Sequence, residues 1–147
     1  MKKDALIEPA LVQQLIPQKK PFVMVSALYE ANEEMVFTGL KIEEGNILNQ
    51  EDYFSEAGLL ENMAQSIALQ KGYLDYLANE TKIEIGFIGA IKTAHIHRVP
   101  KVGEEIFTKV DFIQEFMGIK LSKAEVFDAE ENIIASAEIK TAIAPSS

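Results

Sequence analysis

One apolar segment, residues 55–73, constrains the fold of this chain more than any other feature. Its apolar residues recur with a helical period and cover most of the helix circumference, at Leu60, Met63, Ala64, Ile67 and Ala68. A helix that is apolar on several sides must be buried on more than one side. Ser55 is a favourable N-cap residue and Glu56 suits the first turn, so the helix is predicted to begin here. Gly72 is expected to weaken or bend the helix near its end.

A carboxylate, Glu61, lies within this apolar, alanine-rich helix. Ala57, Ala64 and Ala68 fall on the same helix face, and their small side chains leave room for another chain or a ligand. A carboxylate against apolar surface must be paired, protonated or used in chemistry. The alternative is a solvated or salt-bridged glutamate at the rim of a packed helix. Glu61 is therefore a candidate functional residue.

Most of the remaining chain has the composition of β-strands separated by short polar turns. The predicted strands span residues 22–29, 35–42, 83–99, 106–116, 119–127 and 133–143. A short amphipathic helix over residues 10–16 must end before Pro17. This order predicts one α+β domain of residues 1–147, in which an antiparallel sheet wraps around the long helix. Pairing with a second subunit would cover an exposed edge strand.

Charge and composition exclude several classes of function. The 147 residues include 14 basic and 23 acidic side chains, a net charge of −9, which argues against a nucleic acid partner. The chain has no cysteine, and its only histidines are His95 and His97, so we expect no metal ion and no cofactor. We see no signal peptide and no apolar run long enough to span a membrane, and we expect a cytoplasmic protein.

Three motifs carry a resemblance to a known family. Residues 15–22, LIPQKKPF, are similar to the pattern L-L-P-H-R-x-P-F, and residues 54–65, FSEAGLLENMAQ, are similar to F-P-G-x-x-x-x-E-x-M-A-Q. A third match joins residues 87–89, Ala94 and residues 103–104, which are similar to F-x-G, an alanine and P-G-D. Over nearly its whole length the chain resembles the β-hydroxyacyl-acyl carrier protein dehydratases, which have the hot-dog fold.

The resemblance implies elimination of water from 3-hydroxyacyl thioesters in fatty acid or polyene-type biosynthesis. The substrate would be carried on acyl carrier protein or on coenzyme A. In that family a histidine of the first motif removes the proton next to the thioester carbonyl, and a helix carboxylate from the other subunit helps the hydroxyl leave. Backbone N–H groups at the helix start polarise the carbonyl.

Carried onto this sequence, the resemblance makes Glu61 the acid and Gln65 the residue that orients it. It also implies a substrate tunnel along the central helix between two subunits. The residues implied to bind substrate are Phe22, Gly58, Leu60, Ala64, Gln65, Phe87 and Gly89. The second subunit is expected to be a copy of this chain or a different hot-dog protein.

The sequence departs from the family at the histidine position, which is Gln18. An amide cannot act as a general base, although it can donate a hydrogen bond to a carbonyl or hold a water molecule. The family's P-G before the helix is replaced by Ser55 and Glu56. We therefore keep Glu61 and Gln18 as the candidate catalytic residues, in a subunit that lacks its own catalytic histidine.

Three functions remain open at this point. The first is a dehydratase whose partner subunit supplies the histidine, and the second is an acyl thioesterase that uses Glu61 as base or nucleophile. The third is a non-catalytic subunit that binds acyl chains or stabilises an assembly. An acidic carrier protein would need a basic docking patch, for which the candidates are Lys19, Lys20, Lys92, His95, His97, Arg98 and Lys101.

Overall fold

The computed structural model describes residues 4–80 and 86–143, which form two helices and eight strands in that part of the chain. The helices are α1 (Pro9–Gln14) and α2 (Glu56–Leu77). The strands are β1 (Ala27–Ala31), β2 (Met35–Lys41), β3 (Asn49–Gln50), β4 (Tyr53–Phe54), β5 (Gly86–Ile96), β6 (Glu105–Phe116), β7 (Ile119–Phe127) and β8 (Ile133–Ile143).

A six-stranded antiparallel sheet packs against the long helix α2. Its strand order is β1-β2-β6-β7-β8-β5, and β3 and β4 form a separate two-stranded hairpin. One face of the sheet, with residues such as Val110, Val126 and Ile139, forms the main core together with Leu59 and Met63 of α2. The predicted arrangement of an antiparallel sheet around one central helix is confirmed.

The start of α2 follows the sequence prediction, but its end does not. The Ser55 hydroxyl accepts a hydrogen bond from the Gly58 N–H at 3.0 Å, which confirms Ser55 as the N-cap. The helix continues through Gly72 to Leu77, four residues beyond the predicted end. A side chain at Gly72 would overlap the carbonyl oxygen of Leu15, just after α1. Glycine is needed there for close packing between the two helices.

Two strand predictions are also corrected. Residues 22–26 are not part of β1, because the backbone groups of Phe22 and Met24 bond to side chains of α2, and only the Ser26 N–H reaches the neighbouring strand, at the Gly39 carbonyl. The strand predicted over residues 83–99 is observed as Gly86–Ile96, and residues 83–85 lie outside the described part of the chain. The hairpin of β3 and β4 was not predicted, because strands of two residues leave no periodic pattern in the sequence.

Strand β5 lies at one edge of the sheet and pairs only with β8 among the described strands. Its apolar side chains Ile88 and Ile91 remain 43% and 39% exposed. An unprotected edge with exposed apolar residues is a surface onto which another strand can add. Within the described residues, neither helix is both long enough and apolar enough to cross a membrane.

We predict that Gly72→Ala destabilises the protein, although alanine favours helices, because its methyl group would overlap the Leu15 carbonyl. The expected loss is about 2 kcal/mol of unfolding free energy, measured by urea denaturation. Gly89→Ala is the matched control, since a Cβ there would meet only the Lys140 carbonyl at 3.7 Å. Equal stability of the two variants would contradict the packing role of Gly72.

Candidate functional site

The site is organised by Gln65, a fully buried amide in the middle of α2. Its Oε1 accepts a hydrogen bond from the Met24 N–H at 2.6 Å. Its Nε2 donates to the Phe22 carbonyl at 2.8 Å and to Glu61 Oε2 at 2.7 Å. The backbone N–H requires an acceptor and the carbonyl requires a donor, so the orientation of this amide is unambiguous.

Asn62, one turn before Gln65, holds the same backbone segment. Its Nδ2 donates to the Met24 carbonyl at 2.7 Å, and its Oδ1 accepts from the Thr108 hydroxyl on β6 at 2.5 Å. Together Asn62 and Gln65 satisfy three backbone groups of residues 22–24 that have no strand partner. We call this pair of side chains the amide clamp. It attaches the loop that carries Gln18 to the helix that carries Glu61.

Glu61 is half-buried beside the amide clamp. Its Oε2 is held by Gln65, whereas its Oε1 has no hydrogen-bond partner among residues 4–80 and 86–143. Of the three alanines predicted on this helix face, Ala57 is exposed and Ala64 and Ala68 are partly buried. Glu61 therefore presents one oriented, unoccupied carboxylate oxygen next to small side chains.

Gln18 lies in the loop between α1 and the clamped segment. Its Oε1 is buried and accepts no hydrogen bond within the described structure. A buried acceptor without a donor is costly, on the order of 1–3 kcal/mol. Gln18 Oε1 is therefore an acceptor that a ligand or a partner subunit can satisfy.

The other residues implied to bind substrate differ in burial and in their place in the fold. The Phe22 side chain is 59% exposed in the single chain, and only its backbone carbonyl takes part in the amide clamp. Leu60 packs partly buried against the core, with Ala64 one turn further along the helix. Gly89 is exposed on the edge strand β5, and the side chain of Phe87 lies outside the described structure.

Gly58 is buried at the start of α2, where a Cβ would lie 2.5 Å from the ring of Phe54. Its N–H group is already bonded to the Ser55 hydroxyl. This donor is therefore not free to polarise a substrate carbonyl while Ser55 caps the helix. The N-cap at Ser55 thus occupies one backbone donor of the first helical turn.

The two histidines lie on the outer face of the sheet. His95 pairs directly with Ser136 of β8, and directly paired residues share a face. The neighbouring Ala135 and Ala137 point to the opposite face, into the core with α2. The ring of His97 stacks on that of His95 with a centroid distance of 6.5 Å. Neither histidine is on the side of the sheet that carries Glu61 in this chain.

Several of the basic side chains predicted to form a docking patch are engaged by contacts within the chain. Lys19 donates to the carbonyls of Gln13 and Ile16 at 2.7 and 3.1 Å. Arg98 forms ion pairs with Glu104 and Asp128 at 2.9 and 3.0 Å. The ammonium of Lys101 lies over the Tyr53 ring at 5.8 Å from its centroid.

The ion pairs of Arg98 also affect the titration of its partners. The hydrogen bonds from Arg98 lower the pKa of Glu104. Burial by itself raises the pKa of Asp128, but hydrogen bonds from Asn132 and Arg98 outweigh it, so this pKa is lowered. All three groups are therefore engaged within the chain, which leaves Arg98 unsuited to a docking role.

Sequence reasoning found Gln65 and Glu61 but missed Asn62. Its signal was nevertheless present, because Asn62, Gln65, Ser66 and Gln70 place polar side chains on an otherwise apolar helix. All four are buried, and Ser66 bonds to Thr38 of β2 at 2.8 Å. In residues 4–80 and 86–143, no group of three or more His, Cys, Asp or Glu side chains is arranged to hold a metal ion.

The chain matches the model of the ApeP-like family, described as ApeP dehydratase, over residues 10–146. No curated protein sequence shows a significant match. The dehydratase heterocomplex ApeI:P from Xenorhabdus doucetiae superposes with a TM-score of 0.82 at 14% identity, over 92% of this chain and 91% of that chain.

More distant structures share the same architecture. A Streptococcus mutans protein bound to acetyl coenzyme A and a hypothetical thioesterase from Streptococcus pneumoniae with coenzyme A both have a TM-score of 0.63 at 10% identity. These matches cover 81% of this chain and 88% and 85% of those two chains, respectively. The sheet and central helix form the hot-dog fold that the resemblance implied.

We predict that Gln65→Met lowers the unfolding free energy by about 3 kcal/mol, because the Met24 N–H and the Phe22 carbonyl lose their buried partners. Gln70→Met is the matched control on the same helix, since buried Gln70 makes one hydrogen bond, to the Asn32 carbonyl. The control should lose about 1 kcal/mol, measured by urea denaturation. Similar losses in the two variants would argue against the amide clamp.

Proposed function

Because the chain belongs to the ApeP-like dehydratase family, we propose that it is one subunit of a 3-hydroxyacyl-thioester dehydratase. In this proposal Glu61 gives a proton to the leaving hydroxyl, and a histidine of a second hot-dog subunit removes the α-proton. The observation that carries the proposal is the geometry of Glu61, with Oε2 bonded to Gln65 and Oε1 open. The carboxyl group is thereby oriented for a ligand.

The proton of Glu61 has one suitable position. Both N–H groups of the Gln65 amide are donated, one of them to Glu61 Oε2. A protonated Glu61 would therefore carry its proton on Oε1. In the elimination, a base takes the proton from C2 of the substrate, the C3–O bond breaks, and the proton from Oε1 completes the departing water. The products are a 2-enoyl thioester and water, and Glu61 is left as a carboxylate.

Gln18 has a positioning role in this proposal. Its amide cannot remove the α-proton, but its buried Oε1 is a free acceptor. The 3-hydroxyl of the substrate, or a water molecule, is a donor that would satisfy it. Such a bond would hold the leaving group near Glu61 and would remove the cost of the unpaired acceptor.

We assign the base to a second subunit because neither histidine of this chain lies on the helix side of the sheet. Both of its histidines lie on the outer face. Strand β5 is the surface we assign to the partner, since Ile91 pairs with the buried Ile139 and so faces the helix side while it remains 39% exposed. The name of the ApeI:P heterocomplex supports a different hot-dog subunit as that partner, rather than a copy of this chain.

The acyl group would be delivered on acyl carrier protein in the cytoplasm, for fatty acid or polyene-type biosynthesis. Lys92 and Lys140 remain as a basic pair on β5 and β8, and contact with Lys92 lowers the pKa of Lys140. Two adjacent ammonium groups favour an acidic partner, which matters for a chain with a net charge of −9. Coenzyme A thioesters are the alternative substrates.

The first test is hydration of a 2-enoyl thioester by this chain alone and by its complex with a hot-dog subunit that carries the L-L-P-H motif. We expect activity only in the complex. Glu61→Gln should lower the kcat of the complex by about 10²–10⁴-fold, the usual contribution of a general acid. Glu56→Gln is the matched control, an exposed carboxylate in the first turn of α2.

The other outcomes separate the alternatives. Full activity of the complex with Glu61→Gln would overturn the role of Glu61. Thiol release from acyl thioesters that Glu61→Ala abolishes would indicate a thioesterase. Retention of acyl chains without turnover in every combination would indicate a binding or assembly subunit.

The second test concerns the edge of β5. We expect Ile91→Asp to weaken association with the partner subunit at least about tenfold, because it places a charge in an apolar strand-pairing surface. Ile113→Asp is the control, an exposed isoleucine on β6 away from that edge. Association is measured by analytical ultracentrifugation, and unchanged affinity of the Ile91 variant would place the interface elsewhere.

A further inference from the structure

A groove of about 190 Å³ lies beside the clamped segment, and none of its lining residues belongs to α2. Its apolar lining includes Pro21, Val23, Val25 and Leu40. Pro21 and Val23 offer accessible apolar surface, whereas Val25 and Leu40 are almost fully buried and belong to the core that also contains Met24. The groove therefore adjoins the segment that the amide clamp holds.

Two lysines, Lys20 and Lys41, also line this groove. Neither ammonium has a hydrogen-bond or ion-pair partner in the part of the chain that the structure describes. One acid, Glu43, contributes the opposite charge, so the groove has a net positive charge of one. An apolar surface with unpaired ammonium groups matches an amphipathic anion, whose chain covers the surface and whose head group pairs with lysine.

We propose that this groove binds a medium-chain carboxylate, at a site separate from the one at Glu61. The volume is below the roughly 300–1,000 Å³ of sites that hold drug-sized ligands, which favours a single acyl chain of moderate length. A bound chain would pack against Pro21 and Val23, on either side of Phe22, whose carbonyl is bonded to Gln65. Occupancy of the groove is thereby linked to the loop that carries Gln18.

The experiment is a titration of the ¹⁵N-labelled protein with octanoate, followed by NMR. For a ligand of this size we expect a Kd on the order of 1 mM. The backbone amides of Val23, Val25 and Lys41 should shift with one saturation curve, and the Gln65 side-chain amide should shift with them. Acetate lacks the chain and octanol lacks the charge, so both should bind at least about tenfold more weakly.

Two variants and a control separate this site from other binding. The double variant Lys20→Met, Lys41→Met keeps the apolar stems and should weaken octanoate binding about tenfold. Ser26→Leu, at an exposed position that lines the groove, should block binding without a change of charge. Lys123→Met on the exposed surface of β7 is the control and should bind like the wild type.

Three results would overturn the proposal. The first is the absence of saturable shifts up to about 5 mM octanoate, five times the expected Kd. The second is a set of shifts centred on Glu61 and Ala64, which would place the chain at the proposed acyl site. The third is unchanged affinity in both the double variant and Ser26→Leu. The titration requires no catalytic turnover, so its result is independent of the dehydratase assay.

Discussion

Two buried amides, Asn62 and Gln65, connect the three parts of this molecule on which the candidate site depends. They bond to the backbone of residues 22–24, to Glu61 and, through Thr108, to the sheet. The bonds to Met24 and Thr108 are buried and those to Phe22 and Glu61 are partly buried, and in such surroundings a satisfied network is rigid and a partly satisfied one is costly. The positions of the loop, the helix carboxylate and strand β6 are therefore coupled.

The orientation of Glu61 does not require an ionisable residue in the loop that carries Gln18. It depends on the amide clamp, through the hydrogen bond from Gln65. Under the proposed function, this chain supplies the oriented carboxyl group and a second subunit supplies the base. The ApeI:P dehydratase, which shares this fold, is itself named a heterocomplex.

Much of the fold was predictable from periodicity. The ends of β7 and β8 agree with the predicted segments, and Ser55 begins the long helix as expected. A long element with a repeated pattern combines many weak residue preferences, so its presence is predicted more reliably than that of a short element. The same reasoning failed for the clamped segment, because residues 22–26 have strand-like composition, yet the backbone of Phe22 and Met24 bonds to side chains of α2. Local sequence does not record which distant groups will satisfy a backbone donor or acceptor.

The sequence by itself determined the fold class, the buried helix with Glu61 and Gln65, and the absence of histidine at position 18. These follow from the spacing and chemical type of residues that lie close together in the chain. Only the tertiary structure decided that Gln65 bonds to Glu61 and the loop at once, that Asn62 shares this task, and that both histidines face away from α2. Apart from the bond between Gln65 and Glu61, those facts depend on contacts between residues about 40 positions apart. Burial makes such contacts strong by excluding the water that would otherwise compete for them.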